Sequence, residues 1–268
     1  MAFMLDDIIV DRIQYGVAEN SKGELLYVLT QLSDAKINIT ADSQDATDAT
    51  GSVVKKFYRG KKGELTATNA FLNLSVAGAA SGSGKKSASD SNKIRMPRII
   101  TVKAGKTFDL GTDAKKDTVK VYALGKNGAM DEKIYGSDTT ASADKFSVSG
   151  AQNTLTPPTT AGVTQYIVKY DRDVTSGVYV TNKANRFPQT VKLTLKALAV
   201  DPCEPDTLRS IYIEIPSFQV SPELEIGFTT EGNLNYSGTI QQNYCSDDKE
   251  LYSIYAADGD DEEDDTKQ

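Results

Sequence analysis

From residue 98 onward the chain is a succession of short runs rich in β-branched and aromatic residues: RIITVKAG, DTVKVYALG, KFSVSG, TQYIVKYD, SGVYVTN, QTVKLTLKALAV, RSIYIEIPSFQV, ELEIGF, NYSGTIQQNY and LYSIYA. Turn elements such as GKNG and TPPTTAG part them. Runs this short, at such spacing, close into antiparallel sandwiches or barrels. The clearest is residues 191–195, where Val191, Leu193 and Leu195 point one way and Lys192, Thr194 and Lys196 the other. One face is therefore predicted to be buried and the other wet. The expected fold class is mainly β.

Two further strands are expected near the start, in GELLYVLTQL and in AKINITA, where Ile37 and Ile39 alternate with Asn38 and Thr40. Residues 42–52, DSQDATDATGS, read as a loop. The stretch GSVVKKFYRGKKGELTATNAFL, residues 51–72, then reads as strand, basic turn, strand. Such a hairpin carries Lys55, Lys56, Phe57, Tyr58, Arg59, Lys61 and Lys62 at its tip and Glu64, Thr66 and Thr68 on its second strand. Beyond it, Leu72, Val76, Ala79 and Ala80 share one helical face with Asn69 as N-cap, although Leu72, Leu74 and Val76 also alternate as in a strand; the helix is preferred.

SGSGKKSASDSNK, residues 81–93, is a flexible surface loop by composition. These shifts divide the chain into residues 1–95, the first part of a β core with hairpin and helix; residues 96–200, an inserted or elaborated β domain; and residues 201–255, the closing strands. Residues 256–268 end in GDDEEDDTKQ, a block of like charges expected to be disordered in isolation. A solubilising tail is the plain reading of it, with calcium binding or contact with a basic partner as sharper ones.

The formal net charge is −7 and there is no histidine. That removes Ser/His/Asp triads, Cys/His nucleophiles and histidine-ligated zinc, and two cysteines cannot complete a zinc site. Cys203 and Cys245 read as unrelated thiols, with pairing open if the fold brings them together. DGDDEEDD lacks the flanking helices and the Gly and Glu of an EF-hand loop, and SGSGKKS lacks P-loop spacing. No cofactor is expected. A carboxylate-pair enzyme stays open only because any acidic chain supplies candidates. The opening MAFMLDDIIVDRIQYG lacks signal-peptide character, and no apolar run approaches the roughly 18 residues that span a bilayer, so the chain reads as cytosolic when made, without membrane insertion.

The basic cluster supports three readings. Cations with interleaved aromatics hold single-stranded nucleic acid, but the overall acidity opposes such a ligand. A merely solvated hairpin is the plain alternative. The third is contact with an acidic surface on another subunit, where repetition around an assembly sets register.

INITADSQDATDATGSVVKKFYRGKKGELTATNAFLNLSVAGAASGS, residues 37–83, resembles the core segment of tailed-bacteriophage tail tube (major tail) proteins. The matching features are a turn at Asp48 and Gly51, an aromatic and basic tip from Phe57 to Lys62, a Thr-rich strand from Thr66 to Ala70 and a small-residue helix from Phe71 to Ala80. DPCEPDTLRSIYIEIPSFQVSPELEIGF, residues 201–228, is similar to closing strands of such virion proteins. The resemblance implies an antiparallel β-sandwich or split barrel with one flanking α-helix and a long hairpin. It also implies a non-enzymatic virion protein that is assembled in the host cytoplasm. Its subunits close into rings, commonly hexameric, which stack with other tail proteins into a tube through which phage DNA passes without sequence-specific binding. An immunoglobulin-like binding or decoration module on a virion or bacterial surface is the alternative.

Overall fold

The computed structural model describes residues 7–69, 72–125, 130–223, 225–226, 234–244 and 247–262. In chain order the first elements are β1 (Ile9–Glu19), β2 (Leu25–Thr47), β3 (Val53–Asn69) and α1 (Leu74–Ala80). They are followed by β4 (Lys86–Ser87), β5 (Ile94–Lys103), β6 (Phe108–Asp109), a 3-10 turn (Lys116–Thr118), β7 (Lys120–Leu124), β8 (Met130–Ile134) and β9 (Gly136–Asp138). Then come β10 (Lys145–Ser149), β11 (Thr154–Thr156), β12 (Gln165–Val174), β13 (Val178–Tyr179), β14 (Thr190–Asp201), β15 (Glu204–Val220), β16 (Leu234–Ile240) and β17 (Ser253–Glu262). They form two compact units: one of residues 1–85 with 180–268, the other of residues 86–179.

In the first unit the pairings return to their start. β14 pairs with β1, β1 with β2, β2 with β3, β3 with β16, β16 with β15 and β15 with β14, each antiparallel. The result is a barrel, to which β17 adds along β15. Strand alternation explains why it closes: the inward residues Leu29, Leu65, Leu193, Leu195, Ile215 and Phe218 are buried, as the period-two pattern of β14 predicts. Each such side chain contributes roughly 1.5–3 kcal/mol when fully buried. Barrels of few strands are filled by their own side chains, and this one is.

Two tyrosines give that interior its polar detail. Tyr27 of β2 and Tyr236 of β16 share a buried hydroxyl–hydroxyl hydrogen bond of 3.0 Å. Burial pushes the Tyr27 phenol up to about 12, the bond to Tyr236 only partly opposing it, and burial raises Tyr236 as well. Beside them β16 crosses Phe218 so closely that a Cβ on Gly238 would lie 2.3 Å from the ring Cζ.

The helix is present but starts later than expected. Its cap is Asn73, whose Oδ1 accepts from the N–H groups of Ser75 and Val76 at 2.9 and 3.2 Å, while its Nδ2 donates to the carbonyl of Val28 on β2. Asn69, the expected cap, is the buried last residue of β3, held in register with Leu32 and Leu234. Leu72 stands before the helix, and Phe71 lies outside the described residues. Val76 and Ala80 pack into the barrel core.

The second unit stacks two four-stranded sheets, β5-β12-β7-β8 and β6-β11-β10-β9, over a shared core that includes Tyr166, Tyr170, Val168, Phe146 and Leu155. Among the described residues its strand pairings are antiparallel except that of β9 with β10. At its chain ends β4 and β13 pair with each other.

The boundaries differ from those read in the sequence. The second unit begins at Lys86, within the stretch expected to be a flexible loop, and ends at Tyr179 rather than 200. Residues 190–200 belong to the barrel because β14 pairs on both sides, with β1 and β15. The acidic end also differs, since residues 256–262, expected to be disordered, lie in β17. There the backbone gains a partner strand, with Ala256 opposite Ile211 and Asp261 opposite Arg209.

Candidate assembly interface

Two strands overrun the barrel. β1 accompanies β2 only as far as Leu32, and just beyond it the ladder breaks between Ser33 and Lys36, with Asp34 at a φ of 52°. β16 accompanies β3 only between Asn69 and Gly63. From Lys36 to Thr47, and from Val53 to Lys62, β2 and β3 have only each other among the described residues. Every residue from Thr40 to Lys62 is exposed. At about 3.4 Å per residue the Val53–Lys62 stretch makes an arm of roughly 30 Å.

This overturns one expectation. The basic segment is not the turn of the hairpin but lies within its second strand, and the chain reverses at residues 48–52 instead. There the Asp48 carboxylate accepts from the N–H groups of Thr50 and Ser52, each at 2.9 Å, and from the Thr50 hydroxyl at 2.7 Å. The hydroxyl bond, then the backbone bonds, hold its pKa below the usual carboxylate range. Gly51 completes the turn with a φ of 84°. Gly60, which looked like a turn glycine, has a φ of 59° and is the extra residue of a bulge: Ala41 faces Lys61, and the next pair is Asp42 with Arg59.

The predicted site residues are therefore gathered on β3 in two groups. Lys55, Lys56, Phe57, Tyr58, Arg59, Lys61 and Lys62 lie on the arm, and Glu64, Thr66 and Thr68 lie on the outer face of the same strand where it joins the barrel wall. The opposing strand supplies what the sequence reading missed. Asp45 lies 3.8 Å from the Lys56 ammonium and Asp42 lies 3.3 Å from that of Lys62. Five cations against Asp42, Asp45 and Asp48 leave a net charge of +2 on residues 40–62, from 5 − 3. The ammonium of Lys55 sits 5.0 Å from the centre of the Phe57 ring. Arg59 and Lys61 form no ion pair among the described residues.

Exposed pairs of this kind are worth about 0.2–1 kcal/mol each, and a two-stranded ribbon alone is marginal in water. Yet the arm also exposes apolar side chains: Val53, Val54, Phe57 and Tyr58 are open to solvent, Tyr58 at 69%. Both its edges present unpaired backbone groups, the feature that invites pairing with another chain.

At the arm's base, Ile39, Gly60, Lys61, Glu250, Leu251 and Tyr252 line an open cleft of about 590 Å³. Elsewhere the chemistry is sparse. Among the described residues no cluster of three or more Cys, Asp or Glu is placed to hold a metal ion, and no helix is long and apolar enough to cross a membrane. Cys203 is free and exposed, and Cys245 lies outside the described residues.

Comparison with known proteins adds one strong finding. The family model described as the YomU/Tube protein family matches residues 7–250. No curated protein matches the chain. Among solved structures, the group B streptococcus pilus 2b backbone protein aligns over 81% of this chain and 78% of its own at 10% identity. Its TM-score of 0.20 is too low to carry an argument.

Proposed function

Since this chain belongs to the YomU/Tube protein family, a family of phage-derived tube proteins, we propose that it is the repeating subunit of a phage tail tube, working by self-assembly rather than turnover. The observation that carries this reading is the arm. A ribbon of roughly 30 Å, exposed on both faces and free along both edges, buries nothing in its own chain and is completed by contact with a neighbour. A head-to-tail contact of this kind, repeated, generates rings and filaments.

The barrel interior bears on where DNA goes. It is packed with Leu29, Leu65, Leu195 and Phe218 and holds the buried tyrosine pair, so the described barrel is a filled core and not a channel. The conduit is the hole enclosed by a ring of subunits, six in the arrangement we favour, with rings stacked on one another and joined to other tail proteins. A chain of net charge −7 suits a lumen along which a polyanion slides without sticking.

The test is negative-stain electron microscopy of the purified chain across a concentration and salt series. Hollow rings or tubes of uniform diameter are expected; a monomer that persists at all concentrations and salts contradicts self-assembly.

A further inference from the structure

The arm needs a receptor, and the same chain carries a surface that fits it. β17 is an edge strand: it pairs with β15, and among the described residues no strand lies on its other side. Its ladder is regular from Ser253 opposite Glu214 to Ala256 opposite Ile211. Beyond Ala256 the register breaks, and bulged edges resist strand addition. The receptive stretch is therefore Ser253–Ala256. Its large side chains are exposed, Ile254 at 57% and Tyr255 at 52%, an unusual state for the apolar part of a strand within a sheet. Immediately after it, positions 258, 260, 261 and 262 are Asp, Asp, Asp and Glu.

The arm is its complement. All five of the arm's cations lie on β3, whereas β2 brings Asp42 and Asp45, so only the β3 edge matches an acidic strand. Phe57 and Tyr58 stand in the regular part of that edge, after Val53 and Val54 and before the Gly60 bulge. Lys55, Arg59 and Lys61 are the arm's cations with no ion pair among the described residues, and of these Lys55 already stands over the Phe57 ring.

We infer that the outer edge of β17 receives the arm of a second copy of this chain, β3 adding to Ser253–Ala256 as a further strand while Arg59 and Lys61 meet the acidic positions that follow. Backbone hydrogen bonds supply the affinity, and Phe57 and Tyr58 against Ile254 and Tyr255 form aromatic and aliphatic cross-strand pairs. The charges choose the partner edge and the speed of encounter. The inference rests on the tube-subunit reading and specifies how its subunits join. It also accounts for why both apolar patches lie on free edges: each is covered by the other only between copies.

Two single-cysteine variants test it, Tyr58→Cys on the arm and Tyr255→Cys on β17, both in a Cys203→Ser, Cys245→Ser background. They are mixed under assembling conditions and treated with a short bis-maleimide. Linked dimers are expected from the mixture and not from either variant alone. The paired reversal Arg59→Glu with Lys61→Glu raises the critical concentration for assembly by roughly ten- to a hundred-fold, and Asp260→Lys with Asp261→Lys restores it. Tubes that form without a 58-to-255 link, or whose arm links instead to Val10→Cys at the start of β1, which pairs with β14 alone, overturn this inference while leaving the tube reading intact. A link found only within single chains carrying both cysteines overturns it too. A chain that never assembles overturns both.

Discussion

Replacing Tyr27 by phenylalanine tests whether the barrel is a sealed core, and hence whether the conduit is made between chains. Burial disfavours the phenolate, so the folded chain keeps the Tyr27 proton up to about pH 12, against 10.0 for a free tyrosine. Between those values the unfolded chain has released a proton that the folded chain still binds. Stability attributable to this group is therefore complete below pH 10 and falls as pH rises towards 12. Two units correspond to about 2.7 kcal/mol in all, and about 1.4 kcal/mol is lost by pH 11. At neutral pH Tyr27→Phe removes one buried hydrogen bond and leaves the buried Tyr236 hydroxyl without that partner, at a cost of about 1–3 kcal/mol. The two chains' stability curves should then converge by about 1.4 kcal/mol on raising the pH to 11. Charges elsewhere are common to both and cancel in the difference, apart from Tyr236, whose pKa Tyr27 helps to raise. Urea denaturation followed by circular dichroism at pH 8, 10, 11 and 12 measures it. Parallel curves would refute the reasoning, because they mean that Tyr27 is in contact with water inside the barrel.

Two further substitutions probe packing. Gly238→Ala sets a methyl group against Phe218, where a Cβ has 2.3 Å of room, and should lower the stability of the barrel by about 1–3 kcal/mol in urea denaturation; an unchanged midpoint contradicts the close approach of the Phe218 ring to β16. In the second unit, the Tyr166 hydroxyl is buried without a hydrogen-bond partner among the described residues, its ring edge-on to Tyr135 at 5.6 Å. Tyr166→Phe should leave the unfolding midpoint unchanged or raise it, since an unsatisfied buried group costs about 1–3 kcal/mol; a clear loss of stability shows that the hydroxyl has a partner.

Where one side of a strand faces a core, the sequence spoke plainly. The alternation of Val191, Leu193 and Leu195 with Lys192 and Lys196 describes β14 as it stands, and the many short runs described the fold class. The arm was misread for a physical reason: neither of its faces is buried, so residues 42–47 carry no alternation and resemble a loop, and Gly60 in a bulge resembles a turn. Asn69 and Asn73 are equally good caps by residue type; the pairing of Asn69 with Leu32 and Leu234 decides between them, and that is a tertiary fact. β17 was half legible: its start lies in LYSIYA, read as a strand, but its acidic continuation was not, because residues that acidic are held by the neighbouring β15 and not by their own composition. The basic cluster itself was legible, but the aspartates that half neutralise it were not, since they come from the opposite strand.

The central claim is that the arm exists for assembly. Ala41 and Lys61 face each other across the ladder, so residues 42–60 can be replaced by Asn-Gly, a two-residue turn that closes such a hairpin. Sedimentation velocity and electron microscopy of this variant beside the full chain measure the arm's role directly. No described residue of the excised segment is part of the barrel core, so the shortened chain should unfold at the same denaturant concentration yet remain a monomer where the full chain forms tubes. Tubes of normal diameter and abundance from the shortened chain would contradict the account.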